Sequence, residues 1–193
     1  MTATLVSPQG TPSPSTRRRI GNFVVFQAAW LAAIFGAAHQ MPLLGTEVVL
    51  VAIGWHLFVS ARPAVEAKLV ALVCVIGFVV DSLAAMQGHL AYPSGQPDPR
   101  LAPYWIVALW GLLAITLNVT LRWLKPHLVL AAAIGAVAGP ASLASGVRLG
   151  GAQFIDATPA LIFSAVTWAA ALPLLMWLSN RFDGVADLAD HAE

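Results

Sequence analysis

The chain has 193 residues, of which 59% are hydrophobic and 10% charged, with a mean hydropathy of +0.78. A soluble domain carries about a quarter charged residues, so this composition suits a bilayer and leaves no room for a second folded domain. The formal net charge of +1, with no basic stripe interleaved with aromatics, excludes nucleic acid as a natural partner.

Residues 1–19 are expected to form a disordered tail, "MTATLVSPQGTPSPST", ending in the basic anchor "RRR". Six apolar segments follow, at 20–39, 43–60, 65–87, 102–123, 128–149 and 157–179. A spanning helix needs about 20 residues, and each segment is near that length. Pro42 marks a tight turn between the first two. "GHLAYPSGQPDPR" at 88–100 is too polar and too broken to span. The expected fold is therefore all-α, a bundle of six transmembrane helices over 20–181. The closing stretch "FDGVADLADHAE" at 182–193 is acidic and expected to be a frayed tail.

Basic residues set the orientation. With the N-terminus inside, Arg17, Arg18, Arg19, Arg62, Lys68, Arg122, Lys125 and Arg181 are cytoplasmic, and only Arg100 and Arg148 are outside. That split is a positive-inside pattern with both termini in the cytoplasm, N-in and C-in. The first segment also has features of a cleaved signal, but its apolar run is long for one, so a retained helix is expected.

Few polar residues lie at membrane depth. Ionisable groups there are costly, face the bundle interior, and mark function or interhelical pairing. Asp81, inside "GFVVDSLAA", is the only acidic residue between Lys68 and Asp98. Cys74, Gly77, Asp81, Ala84 and Gly88 step by three and four, so they make one small, weakly polar stripe. Asp81 should then face other helices, with Val73, Ile76, Phe78, Val79, Val80 and Leu83 on the remaining faces. It is either a proton or ligand site or an interhelical clamp. His39 and Arg148 close the first and fifth segments on the same side, so with Gln27 they compose a candidate outer cluster: Gln27, His39, Asp81 and Arg148. His56 lies in the inner half and is expected to meet Asn118 and Arg122, which stand at i and i+4 on the fourth helix. These three compose a candidate inner cluster, with packing and headgroup contact as the alternative.

The fifth segment carries two GxxxG steps, Gly135/Gly139 and Gly146/Gly150, which suit close helix contact within the chain or in a helix-mediated oligomer. Pro140 and Pro173 remove backbone donors within the fifth and sixth segments. No zinc-protease, nucleophile-elbow or phosphate-loop motif occurs, and the single cysteine, Cys74, has no partner for a disulfide or metal site. No metal or cofactor is expected.

"FQAAWLAAIFGAAH", "GWHLFVS", "GFVVDSL", "APYWIVALWGLLAITLN" and "LRWL", in this order, resemble domain-of-unknown-function family 2878, a family of small bacterial membrane proteins. The resemblance runs from about Gly21 to Arg181. It implies a multi-pass protein of the bacterial inner membrane and supplies no activity. It points to Gln27, Trp30, His39, His56, Asp81, Trp105, Trp110 and Asn118. Three functions remain open: a small transporter or lipid-handling protein binding a lipid or small polar ligand around Asp81, a membrane-embedded enzyme or accessory subunit of a lipid-modifying system with Asp81 and His39 as acid and base, or a purely structural bundle.

Overall fold

The computed structural model describes residues 14–185. Most of the amino-terminal tail and residues 186–193 of the acidic tail lie outside these. Six α-helices occur among the described residues: α1 (Thr16–Ala38), α2 (Pro42–Phe58), α3 (Pro63–Met86), α4 (Tyr104–Leu117), α5 (Leu128–Arg148) and α6 (Ala157–Arg181). Helix α1 starts earlier than its apolar run, because the Ser15 hydroxyl accepts from the Arg18 N–H at 3.3 Å and caps the first turn. Arg17–Arg19 thus belong to the helix, not to a tail. Prolines open α2 and α3 at their first positions, where the missing N–H costs nothing.

The α1–α2 hairpin is tight. A Cβ on Gly45 would lie 2.6 Å from the Ala32 carbonyl oxygen, so the two helices meet backbone to backbone. The fourth segment differs from its expected 102–123 span. Helix α4 stops at Leu117, the chain turns at Asn118–Leu121, and a 3₁₀ turn follows at Arg122–Leu124. Asn118 ends the helix because its side chain is drawn into a buried hydrogen-bond network described below. Asn118 and Arg122 therefore do not share a helical face; the Arg122 guanidinium instead donates to the Asn118 carbonyl at 3.3 Å.

Helix α4 is apolar on every side and occupies the middle of the bundle, as an all-round apolar helix must. It touches α1, α2, α3 and α6. On one side Trp110, Ala114 and Leu117 pack with Leu69, Val73 and Leu175. On the other, Trp105, Leu112 and Ile115 pack with Ala33, Val49 and Ile53. Val73 is thus core and not part of a lipid-facing side. Helix α5 packs chiefly on α6. Both helices run unbroken through Pro140 and Pro173. The 88–103 connection folds over one end of the bundle, where β1 (Leu90–Ala91) pairs antiparallel with β2 (Gln153–Phe154).

Outward faces are strongly apolar: Phe58 is 81% exposed, Val129 86%, Val51 72% and Val137 71%. Water does not tolerate so continuous an apolar exterior, whereas hydrocarbon does. Four helices, α1, α3, α5 and α6, are long and apolar enough to cross a membrane. With 17 and 14 residues, α2 and α4 reach only about 25 and 21 Å at 1.5 Å per residue.

Candidate functional site

A half-open cavity of about 640 Å³ runs along the full length of α4, from Trp105 to Thr116 and on to Thr120, between α1 on one side and α5 and α6 on the other. That volume is within the range of small-molecule sites. Its walls are apolar, with Phe26, Trp30, Leu109, Leu113, Ile134 and Phe163 among them. Polar atoms are sparse: Gln27, Asp81, Tyr92 and a few serines and threonines.

Asp81 reaches the cavity from α3, on the face its stripe indicated. Gly77 and Asp81 both meet Trp110 of α4, and a Cβ on Gly77 would overlap the indole. The Trp110 Nε1–H donates to Asp81 Oδ2 at 2.6 Å. Asp81 Oδ1 takes no hydrogen bond among the described residues. Trp110 also stacks on Trp168 of α6, with centroids 4.7 Å apart and planes 10° from parallel. Trp168 in turn lies against Gly139 of α5, where a Cβ would overlap its ring. Two indoles are thus clamped between two glycines, and the clamp ties α3, α4, α6 and α5 together while fixing the carboxylate. The Gly135/Gly139 step is used within the chain, against α6. A Cβ on Gly146 would meet Ile34 Cδ1 of α1 at 3.9 Å, an ordinary van der Waals contact, and Gly150 follows the helix with a φ of +87°.

Of the expected outer cluster, Gln27 and Asp81 line this cavity together. His39 and Arg148 do not. His39 is exposed at the end of α1, its Nδ1 2.8 Å from the Phe35 carbonyl. Arg148 is exposed at the end of α5. Shared depth placed them with Asp81, but depth along a helix leaves the direction around the bundle undetermined. Tyr92, which sequence reasoning missed, comes from the connection after α3. Burial first, and then the Asp81 carboxylate, push its phenol above the usual tyrosine range. Over the same end, Trp105 Nε1 donates to the Ser94 carbonyl at 3.2 Å and the Ser94 hydroxyl to the Ala37 carbonyl at 2.8 Å, which holds the connection down.

The inner residues form a second, separate network, and its centre is a residue that sequence reasoning passed over. Glu66, in the first turn of α3, is fully buried. His56 Nε2 donates to its Oε2 at 2.8 Å, and Asn118 Nδ2 and the Gly184 N–H donate to its Oε1 at 2.7 and 2.6 Å. Asn118 Nδ2 also donates to the Phe182 carbonyl at 2.9 Å, so its Oδ1 is left without a partner among the described residues. Residues 182–185 are therefore packed and not frayed. Asp183 Oδ2 receives both Arg122 Nη1 and Lys125 Nζ at 2.9 Å, and the Arg62 guanidinium donates to the Asp183 carbonyl. Burial pushes the Lys125 ammonium below the usual lysine range, and Asp183 pulls it back. One sign of Glu66 was legible: a carboxylate inside an apolar segment, ten positions after a buried histidine and across a short turn. Asp183 carried no sign, because nothing in an acidic tail distinguishes a docked residue from a solvated one.

None of Glu66, His56, Asn118 or Arg122 lines the cavity, so the two polar groups do not join into one continuous path. No group of three or more histidine, cysteine, aspartate or glutamate side chains among the described residues could hold a metal ion.

No curated protein and no solved structure matches the chain. The family model described as "protein of unknown function (DUF2878)" matches residues 19–174, which takes in most of α1, all of α2 to α5, Asp81, the indole clamp and most of α6, and the chain therefore belongs to domain-of-unknown-function family 2878.

Proposed function

We propose that this is a lipid-handling protein of the bacterial inner membrane, with six membrane spans and both ends in the cytoplasm. The cavity along α4 holds the apolar chain of an amphiphile, and Asp81 with Gln27 receives its polar end. The observation that carries this reading is the shape and chemistry of the cavity: about 640 Å³, apolar along the length of a helix, with one fixed carboxylate. A water-filled passage would need polar walls in both halves, and the inner network stands apart from this cavity. An acid/base pair of Asp81 and His39 has no support in the placement of His39.

The six-span arrangement is supported by the basic residues of the α2–α3 turn, the α4–α5 link and the end of α6. Arg62, Arg122, Lys125 and Asp183 meet at one end, which the positive-inside pattern assigns to the cytoplasm. The short α4 is enclosed by its neighbours and needs no full hydrocarbon length of its own.

Native mass spectrometry of the protein released from a neutral detergent tests the reading. The parent should retain a bilayer amphiphile. Ala138→Trp, which fills the cavity from an exposed position on α5, should retain none at an unchanged melting temperature. A parent that carries nothing, or equal retention by both, would contradict it.

A further inference from the structure

The charge lining the cavity narrows the class of ligand, given the lipid-handling reading on which this inference rests. Asp81 is the one carboxylate on its described walls, and no lysine, arginine or histidine joins it there. Asp81 makes no salt bridge among the described residues. One oxygen is held by Trp110 at 2.6 Å, and the other accepts nothing. A phosphate or carboxylate headgroup placed here would face a like charge with no cation to compensate, at high cost in an apolar site. A cationic headgroup would supply the counter-charge that the protein omits.

The aromatic residues point the same way. Trp30 and Tyr92 line the cavity outside the stack in which Gly77, Trp110, Trp168 and Gly139 cover one another's faces. Indole and phenol faces attract ammonium groups, most strongly where water is excluded. The Trp110 ring is doubly fixed, by its bond to Asp81 and by its stack on Trp168, so these groups are ordered before any ligand arrives.

We propose that the cavity binds a lipophilic cation drawn from the bilayer: an amphiphile whose ammonium group sits at Asp81 among these rings and whose alkyl chain lies along α4 between α1 and α5.

The test titrates dodecylammonium, dodecanol and dodecyl phosphate into the purified protein in a neutral maltoside detergent, read by tryptophan emission. The parent should bind dodecylammonium about tenfold or more tightly than dodecanol, and dodecyl phosphate weakest, a tenfold step being about 1.4 kcal/mol. Asp81→Asn keeps an acceptor for Trp110 Nε1 and should erase the preference, so that dodecylammonium and dodecanol bind it alike. If that variant loses dodecanol as well, its cavity is damaged and the parent's selectivity alone decides. Equal affinity for dodecylammonium and dodecanol in the parent, tighter binding of dodecyl phosphate, or a preference that survives in a dodecanol-binding Asp81→Asn, overturns the lipophilic cation and leaves the lipid cavity standing. Failure of all three probes to bind overturns the cavity reading itself.

Discussion

Replacing Glu66 with alanine should be the most damaging single change at the basic end of the bundle. Three donors converge on this fully buried carboxylate: His56 Nε2, Asn118 Nδ2 and the Gly184 N–H, at 2.8, 2.7 and 2.6 Å. A hydrogen bond to a charged group contributes about 1.5–3 kcal/mol, but three on one group do not add in full. Removing one partner of a buried charged set costs about 3–5 kcal/mol, because the donors left behind stay dry and unpaired. Taking about 4 kcal/mol, with each kcal/mol worth about 2–4 °C in a chain of this size, the melting temperature should fall by about 8–16 °C. Glu66→Gln keeps one acceptor oxygen and should fall between the parent and Glu66→Ala. Thermal unfolding of the purified protein in neutral detergent, followed by tryptophan emission, reads both. A fall of less than about 3 °C for Glu66→Ala, at most about 1.5 kcal/mol at about 2 °C per kcal/mol, would mean that this network is not dry and would refute the reasoning.

Gly77→Ala should cost about 1–3 kcal/mol, the usual range for overpacking, because its Cβ overlaps the Trp110 ring; near-ultraviolet circular dichroism should show the Trp110–Trp168 stack disturbed, and an unchanged spectrum would contradict the clamp. Gly184→Ala places a Cβ 2.5 Å from the Arg62 carbonyl oxygen and 2.9 Å from Glu66 Cγ; it should destabilise by a similar amount and render the chain after Arg181 sensitive to protease, whereas a parent cleaved there as readily as the variant would show that residues 182–185 are not docked. Asp183→Ala leaves Arg122 and Lys125 side by side without their shared counter-ion, and should lower the melting temperature. Adding Lys125→Met should recover part of the loss, since it removes an ammonium that burial already disfavours; no recovery would mean that Lys125 is not strained by its burial.

The helices were legible in the sequence because apolar runs near bilayer length leave little else to form, and the prolines at 42 and 63 mark two starts. The place of α4 was less so. Its run continues past Leu117 in composition, and only the side-chain contacts of Asn118 end the helix there. The direction of Asp81 could be read from the small stripe at Cys74, Gly77 and Ala84, because a helix's periodicity fixes which residues share a face. Its partner could not, since which helix lies opposite is a tertiary fact. His39 and Arg148 were joined to Asp81 by depth, and the structure leaves both exposed at helix ends, outside the cavity that Asp81 lines. Glu66 was passed over because a charge near a helix start has an ordinary explanation in solvation, and only packing shows that it is dry.

The central claim is that an amphiphile lies along α4 with its polar end at Asp81. The most direct measurement is a crystal structure of the protein purified with a bromine-tagged alkylammonium, with the bromine located by its anomalous scattering. The account predicts a bromine site inside the cavity between α1 and α5, with the ammonium within hydrogen-bond or ion-pair distance of Asp81. Bromine found only on the outer apolar faces, with the cavity closed or holding water, would contradict it.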